Sequence, residues 1–312
     1  HSQGNISEAA KYYQYFIDQG FNDHRVFSNY GIILKDFGKL KEAETLQRKA
    51  IELKPDFPEA HYNLSNILKA LGKLKEAEVS TRKSIQLKPD FADAYFSLGI
   101  ILKDLGKLEE AKESTIEAIK LKVNFAEAHL NLGAILKELG NLKEAEISVR
   151  KAINLKPYYA KAYFNLGNIL KDIGNIQEAE ISHRKAIELK PDFAEAHSNL
   201  GNTLKDLGKI KEAKEEWSKA IEINPKLESA IRALAMRYYF DKQYELAIKL
   251  LNKNESDASQ SLFLGCLLCL NKENEFKTKY HELLSKGVCN AEIGGIVEHA
   301  NIIYKDNYIS PF

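Results

Sequence analysis

Residues 126–159 run AEAHLNLGAILKELGNLKEAEISVRKAINLKPYY. From Ala126 to Leu139, apolar side chains fall at Leu132, Ile135, Leu136 and Leu139, the three-and-four spacing of one helical face. Gly140-Asn141 interrupts that face, because glycine reaches the left-handed backbone that ends a helix at little steric cost. A second stretch, Leu142 to Leu155, sets Ala145, Ala152, Ile153 and Leu155 on its packing side. Pro157 closes the unit, since the residue before a proline resists the α region. Helices of about 12–14 residues are marginal alone in water. Each pair must therefore bury its apolar stripe against neighbouring pairs.

The unit recurs. Gly38, Gly72, Gly106, Gly140, Gly174 and Gly208 are 34 residues apart, as are Leu34, Leu68, Leu102, Leu136, Leu170 and Leu204. Ala43, Ala77, Ala111, Ala145, Ala179 and Ala213 keep the same beat. Pro55, Pro89, Pro157, Pro191 and Pro225 mark unit ends, with Val123 standing in once. Several residue types held in register over six copies describe a stack of one small unit, not a chain folded round one core.

A 34-residue helix–turn–helix carrying Asn199-Leu200-Gly201-Asn202, then Gly208, Ala213, Ala220 and Pro225, resembles the tetratricopeptide repeat. The segment Lys190 to His197 is similar to the superhelical repeat arm of O-linked N-acetylglucosamine transferases. The resemblance implies an all-α fold, a right-handed α-solenoid of 34-residue repeats with an irregular helical C-terminal cap. Residues 1–23 are expected to form a half repeat, its second helix only, followed by six full repeats over 24–227. Degenerate repeats and capping helices would follow over 228–304, where Lys242 replaces the inter-helix glycine. Residues 305–312 would be a tail or the start of a lost connector. The second helix of such repeats usually carries a large aromatic near its middle. Here Gln47, Thr81, Thr115, Val149 and His183 hold that place and only Trp217 is aromatic, which predicts looser packing between repeats.

The 312 residues are 44% hydrophobic and 29% charged, and 45 basic side chains stand against 44 acidic ones. That balance describes a folded soluble chain. It argues against nucleic acid as a partner, which needs a basic excess on one face. The run Leu262 to Leu270 is too short to span a bilayer, so no membrane partner is expected. No secretory signal opens the chain, which begins at His1 in mid-repeat and reads as an excised segment; a cytoplasmic location is the expectation. Uncapped end faces would offer self-association.

Candidate chemistry is sparse. His61, His129 and His197 lie 68 residues apart and alternate with Phe27, Tyr95 and Tyr163. Two repeats separate them by roughly 20 Å at about 10 Å per layer, too far to share a metal, so they read as a packing position. Cys266 and Cys269 form Cys-x-x-Cys, and zinc would need Cys289 with His281 or His299. Their apolar helix favours burial of both as small hydrophobes without metal. Phosphate-binding loops, nucleophile elbows and dinucleotide fingerprints are missing. Neither a catalytic residue nor a cofactor is expected.

Function is expected on the first helix of each unit. Asn29, Asn63, Asn131, Asn165 and Asn199 occupy one equivalent place, Ser97 being the exception; Asn66, Asn168 and Asn202 follow three residues on, on the same face. In the resembled family that face lines the concave surface, and the resembled transferases use such a ladder to hold extended peptides. An amide offers both donor and acceptor to a peptide backbone. Beside the ladder, Tyr62, Phe96, Leu130 and Phe164 would form an exposed apolar strip of anchors. Lys35, Lys69, Lys103, Lys137, Lys171 and Lys205 form a further column, each followed by an acid except at Ala70, and read as a solvated face with local ion pairs. Tyr62 with Asn66 and Phe96 with Ile100 lack the lysine of a carboxylate-clamp groove, so capture of an acidic C-terminus is not expected. The leading expectation is a scaffold binding a protein or peptide partner. The alternative is the substrate-recruiting arm of a larger enzyme, such as a glycosyltransferase.

Overall fold

A computed structural model describes residues 6–252, 256–288 and 291–304. Cys289, the Asn290 cap and the 305–312 tail lie outside them. Among the described residues every regular element is a helix, eighteen in all. The chain divides into two compact units, His1–Ile169 and Leu170–Phe312.

The first unit opens with α1 (Ile6–Asp18) and continues as helix pairs. These are α2 (His24–Asp36) with α3 (Leu40–Leu53), α4 (Pro58–Ala70) with α5 (Leu74–Leu87), α6 (Ala92–Asp104) with α7 (Leu108–Leu121), and α8 (Ala126–Glu138) with α9 (Leu142–Leu155). Each helix packs on the next in sequence, and first helices also touch one pair away. Helix α10 (Ala160–Ile173) spans the boundary between units.

The turn inside each pair explains the glycine beat. Gly106 has φ +76°, and a Cβ there would meet nothing, so the demand for glycine is set by the backbone alone. Its N–H donates to the Lys103 carbonyl, and the Lys107 N–H reaches back to Leu102 at 2.9 Å. This Schellman geometry satisfies carbonyls that the helix end would orphan.

Within each helix pair, the smaller side chains in the middle of the second helix are matched by small residues on the first. Gln47, Thr81, Thr115 and Val149 are fully buried. Each faces a residue without bulk on its partner helix. A Cβ at Gly31 would lie 2.8 Å from Gln47 Nε2, and one at Gly133 would collide with Val149 Cγ2. Gln47 Nε2 donates to the Ser28 carbonyl at 2.7 Å, and Thr115 Oγ1 donates to the Ala111 carbonyl. Size is matched pairwise across the two helices, so the packing holds without an aromatic.

The second unit continues with α11 (Ile176–Leu189), α12 (Ala194–Asp206) and α13 (Ile210–Ile223), where Trp217 is buried over Gly201. Then come α14 (Glu228–Phe240), the short α15 (Tyr244–Leu251), α16 (Asp257–Cys269), α17 (Glu273–Ser285) and α18 (Ala291–Tyr304). Lys242 and Asn271 sit at φ +59° and +55° where earlier turns have glycine. Their turns keep the same hydrogen bonds, Gln243 N–H to Tyr238 O and Lys272 N–H to Leu267 O. These last helices share one apolar cluster built on Leu251, Phe263, Leu264, Leu267, Phe276, Tyr280 and Val297.

Candidate peptide-binding face

The asparagine column begins from a helical place that faces a neighbouring helix on one edge. In the first unit, Asn63 Nδ2 donates to Ser28 Oγ at 3.2 Å, and Asn131 Nδ2 donates to Thr115 Oγ1 at 3.1 Å. No donor among the described residues reaches Oδ1 of either amide. One edge of each amide thus fastens helix to helix, and the other presents an acceptor. Asn29 is exposed and Asn165 half-buried. Ser97, the exception in the column, is buried and donates to Asn66 Oδ1 at 3.1 Å. Asn168 is half-buried and engaged within the protein.

In the second unit, Asn199 is half-buried and likewise engaged, and Asn202 Oδ1 accepts from Trp217 Nε1 at 3.2 Å. The second asparagine of the pattern therefore works mainly inside the fold.

The apolar strip is more covered than its spacing suggests. Tyr62 and Phe96 are half-buried, their rings centred 5.0 and 4.8 Å from Phe91 and Phe125 of the following turn. Leu130 is only 5% exposed, so it belongs to the core and is no anchor. Phe164 is half-buried and makes internal contacts. A contact missed in the sequence explains this coverage. Lys88 lies over Phe91 and Lys122 over Phe125, 4.9 and 4.1 Å from the ring centres, with equivalents at Lys54–Phe57, Lys156–Tyr159 and Lys190–Phe193. The signal is a lysine three residues before an aromatic at five of the six unit ends, the sixth having Asn224 and Leu227 there. A cation over a ring holds that turn against the first helix.

The lysine column bridges repeats. Lys103 meets Glu138 at 3.3 Å, and Lys171 meets Asp206 at 2.9 Å. Lys69, followed by Ala70, lacks an adjacent acid, and burial pushes its pKa down. The histidines serve turns: His61 Nε2 is 2.9 Å from the Pro55 carbonyl, and His197 Nε2 is 3.0 Å from Pro191 O.

Cys266 is buried and its thiol is pushed up to about 12 by that burial, which keeps it protonated. Cys269, expected to be buried, is exposed. It is the last residue of α16, where the chain turns away from the cluster, and its Sγ lies 3.6 Å from Tyr239 Oη. No group of three or more metal-binding side chains occurs among the described residues. None of their helices is long and apolar enough to cross a membrane.

Family profiles described as tetratricopeptide repeat match residues 24–57, 46–79, 81–113, 126–159, 149–181 and 194–227, and one described as TPR repeat matches 167–208. Two solved structures give the same fold. Pseudomonas aeruginosa pilF matches with TM-score 0.61 and 17% identity over 68% of this chain and 97% of its own. The anaphase-promoting-complex hetero-tetramer Cut9–Hcn1 matches with TM-score 0.65 and 19% identity over 78% of this chain and 49% of that one. YrrB, described as a TPR protein with an unusual peptide-binding site, is 27% identical over 60% of this chain and 96% of its own, with TM-score 0.49. No curated protein sequence matches.

Proposed function

The chain belongs to the tetratricopeptide-repeat proteins, and from that premise we propose that it is an interaction scaffold whose first-helix face captures an extended peptide through asparagine side chains. The observation that carries this reading is the divided amide. Asn63 and Asn131 each spend Nδ2 on a neighbouring helix and leave Oδ1 without a protein donor. The internal bond fixes the side-chain rotamer, so an incoming backbone N–H meets an acceptor already aimed. Adjacent repeats place rungs about 10 Å apart, and an extended peptide advances about 3.3 Å per residue. Each rung then meets roughly every third peptide residue. Tyr62, Phe96 and Phe164, half-buried, would supply ring edges beside the rungs.

The test is binding of fluorescent unstructured peptides, selected on the parent chain, to the triple variant Asn63→Ala/Asn131→Ala/Asn165→Ala. Each lost hydrogen bond removes about 0.5–1.5 kcal/mol, so affinity should fall by roughly tenfold to a thousandfold with helicity unchanged by circular dichroism. Folding stability should drop by only about 1–2 kcal/mol, because Asn63 and Asn131 each release one internal bond. Peptides that bind the triple variant as tightly as the parent would remove the asparagines from recognition.

A further inference from the structure

Two equivalent grooves lie between successive second helices of the first unit, 68 residues apart. The groove between α3 and α5 has His61 and Leu64 of α4 at its floor and Val79 on its wall. Arg48 lines it, tied to Glu44 at 2.8 Å and Glu76 at 2.9 Å. The groove between α7 and α9, of about 560 Å³, has His129 and Leu132 of α8 at its floor and Ile147 on its wall. Here Ile116 takes the place of Arg48, Lys112 that of Glu44 and Lys120 that of Glu52. The ion-pair network that spans the first groove is therefore missing.

Two properties result. Ile116, Ile119, Leu132 and Ile147 leave an apolar lining open to solvent, with Ile147 69% exposed. Lys120, Arg150 and Lys151 stand around it, and no acid lines it, whereas Glu52 lines the first groove. Lys120 and Arg150 also hold Glu117 and Glu146 outside the groove. His129 is neutral near pH 7, since burial, with Lys151 adding to it, pushes its pKa down. At 100° per residue, His129 and Leu132 leave α8 on the side away from Ala134 and Asn131. This surface is distinct from the asparagine column.

We propose that the α7–α9 groove is a docking site for an amphipathic helix of a partner protein that presents large apolar side chains flanked by Asp or Glu. Covering the lining removes apolar surface from water, which favours association. Lys120 and Arg150 share their charge with Glu117 and Glu146, so Lys151 carries most of the rim's preference for acidic flanks, since like charges brought together are costly and opposite ones steer the encounter. Helix-in-groove recognition uses anchors on one face of the incoming helix, and an open trough between two helices suits such a face.

The test is a displayed library of amphipathic helices of about 15 residues, varied at the flanks of the apolar stripe and panned on the whole chain. Enriched clones should carry acidic flanks. As synthetic peptides they should bind Ile116→Arg/Ile147→Glu at least about tenfold more weakly than the parent, and Val79→Glu, in the α3–α5 groove, unchanged. The charge reversal Lys120→Glu/Lys151→Glu, confined to exposed side chains, should weaken acidic clones by about tenfold or more and favour basic ones. The asparagine triple variant should bind these helices like the parent. No enrichment, enrichment of neutral or basic flanks, or clones indifferent to both groove variants would each overturn the proposal. So would dodecanoate competing where no helix does, which would make the groove a site for acyl anions.

Discussion

His197 shows how one side chain can acquire a role its repeat equivalents lack. His61 and His129 have serines, Ser80 and Ser148, where the chain places Glu216 beside His197. His197 Nδ1 lies 2.6 Å from Glu216 Oε2, with the two side chains 7% and 11% exposed, and Lys219 meets the same carboxylate at 2.7 Å. The Glu216 hydrogen bond raises the His197 pKa. Burial pushes the Glu216 carboxyl up, but His197 and Lys219 outweigh it and leave it below its ordinary value. A raised histidine contributes stability fully below its unfolded value and loses it as pH rises through the folded one. A lowered glutamate contributes above its unfolded value and loses it as pH falls through the folded one. The pair therefore stabilises most between about pH 4.5 and pH 6.5. Against His197→Phe, the parent should be more stable by about 1.5–3 kcal/mol at pH near 5.5. That advantage should shrink by pH 9 in urea melts. A difference that ignores pH would mean the imidazole is not charged in the folded state.

At the scale of the element, stability within a repeat rests on matched sizes across two helices. Gly133 on α8 faces Val149 on α9 so closely that a Cβ would overlap Val149 Cγ2 and lie 3.2 Å from the Ala145 carbonyl. Gly133→Ala should cost about 1–3 kcal/mol by overpacking. Val149→Ala should cost about 1–3 kcal/mol through the void it opens. Combined, the new methyl fills part of that void, so the double variant should be more stable than the sum predicts by about 0.5–3 kcal/mol. Strict additivity in guanidinium melts would show that the two sites do not touch. Ion pairs add a smaller amount between pairs of helices. Glu44 is held by Lys73 and Arg48, which keep its carboxyl below the usual range.

For the molecule as a whole, each helix answers to its neighbours, so local stability follows local burial. Helix α1 buries none of its residues, while α6 buries Ala94, Ser97, Leu98, Gly99, Ile101 and Leu102. Amides of α1 should exchange with deuterium at least about a hundredfold faster than those of α6. Equal protection would mean that α1 is held by something beyond side-chain burial. The degenerate helices α14–α18 avoid a similar weakness by pooling their apolar residues in one cluster.

Much of the architecture was legible in the chain. The helix pairs follow from three-and-four spacing, and the turns follow from glycine at the left-handed position, both set by interactions within a few residues. Repetition then multiplied the signal. Even at Lys242 and Asn271 the turn persists without glycine, because flanking helices impose the backbone. What only the tertiary structure decided lies between helices. Spacing could not say that Leu130 is covered, that Tyr62 and Phe96 lean on the next turn, or that Cys269 projects from the end of α16. Nor could it say which edge of each asparagine is spent on a neighbour, or that Ile116 in place of an ion-paired arginine opens a groove. Periodicity reports which face a side chain occupies. Exposure and bonding depend on the size and charge of residues roughly 16 to 35 positions away, which meet only when the helices stack.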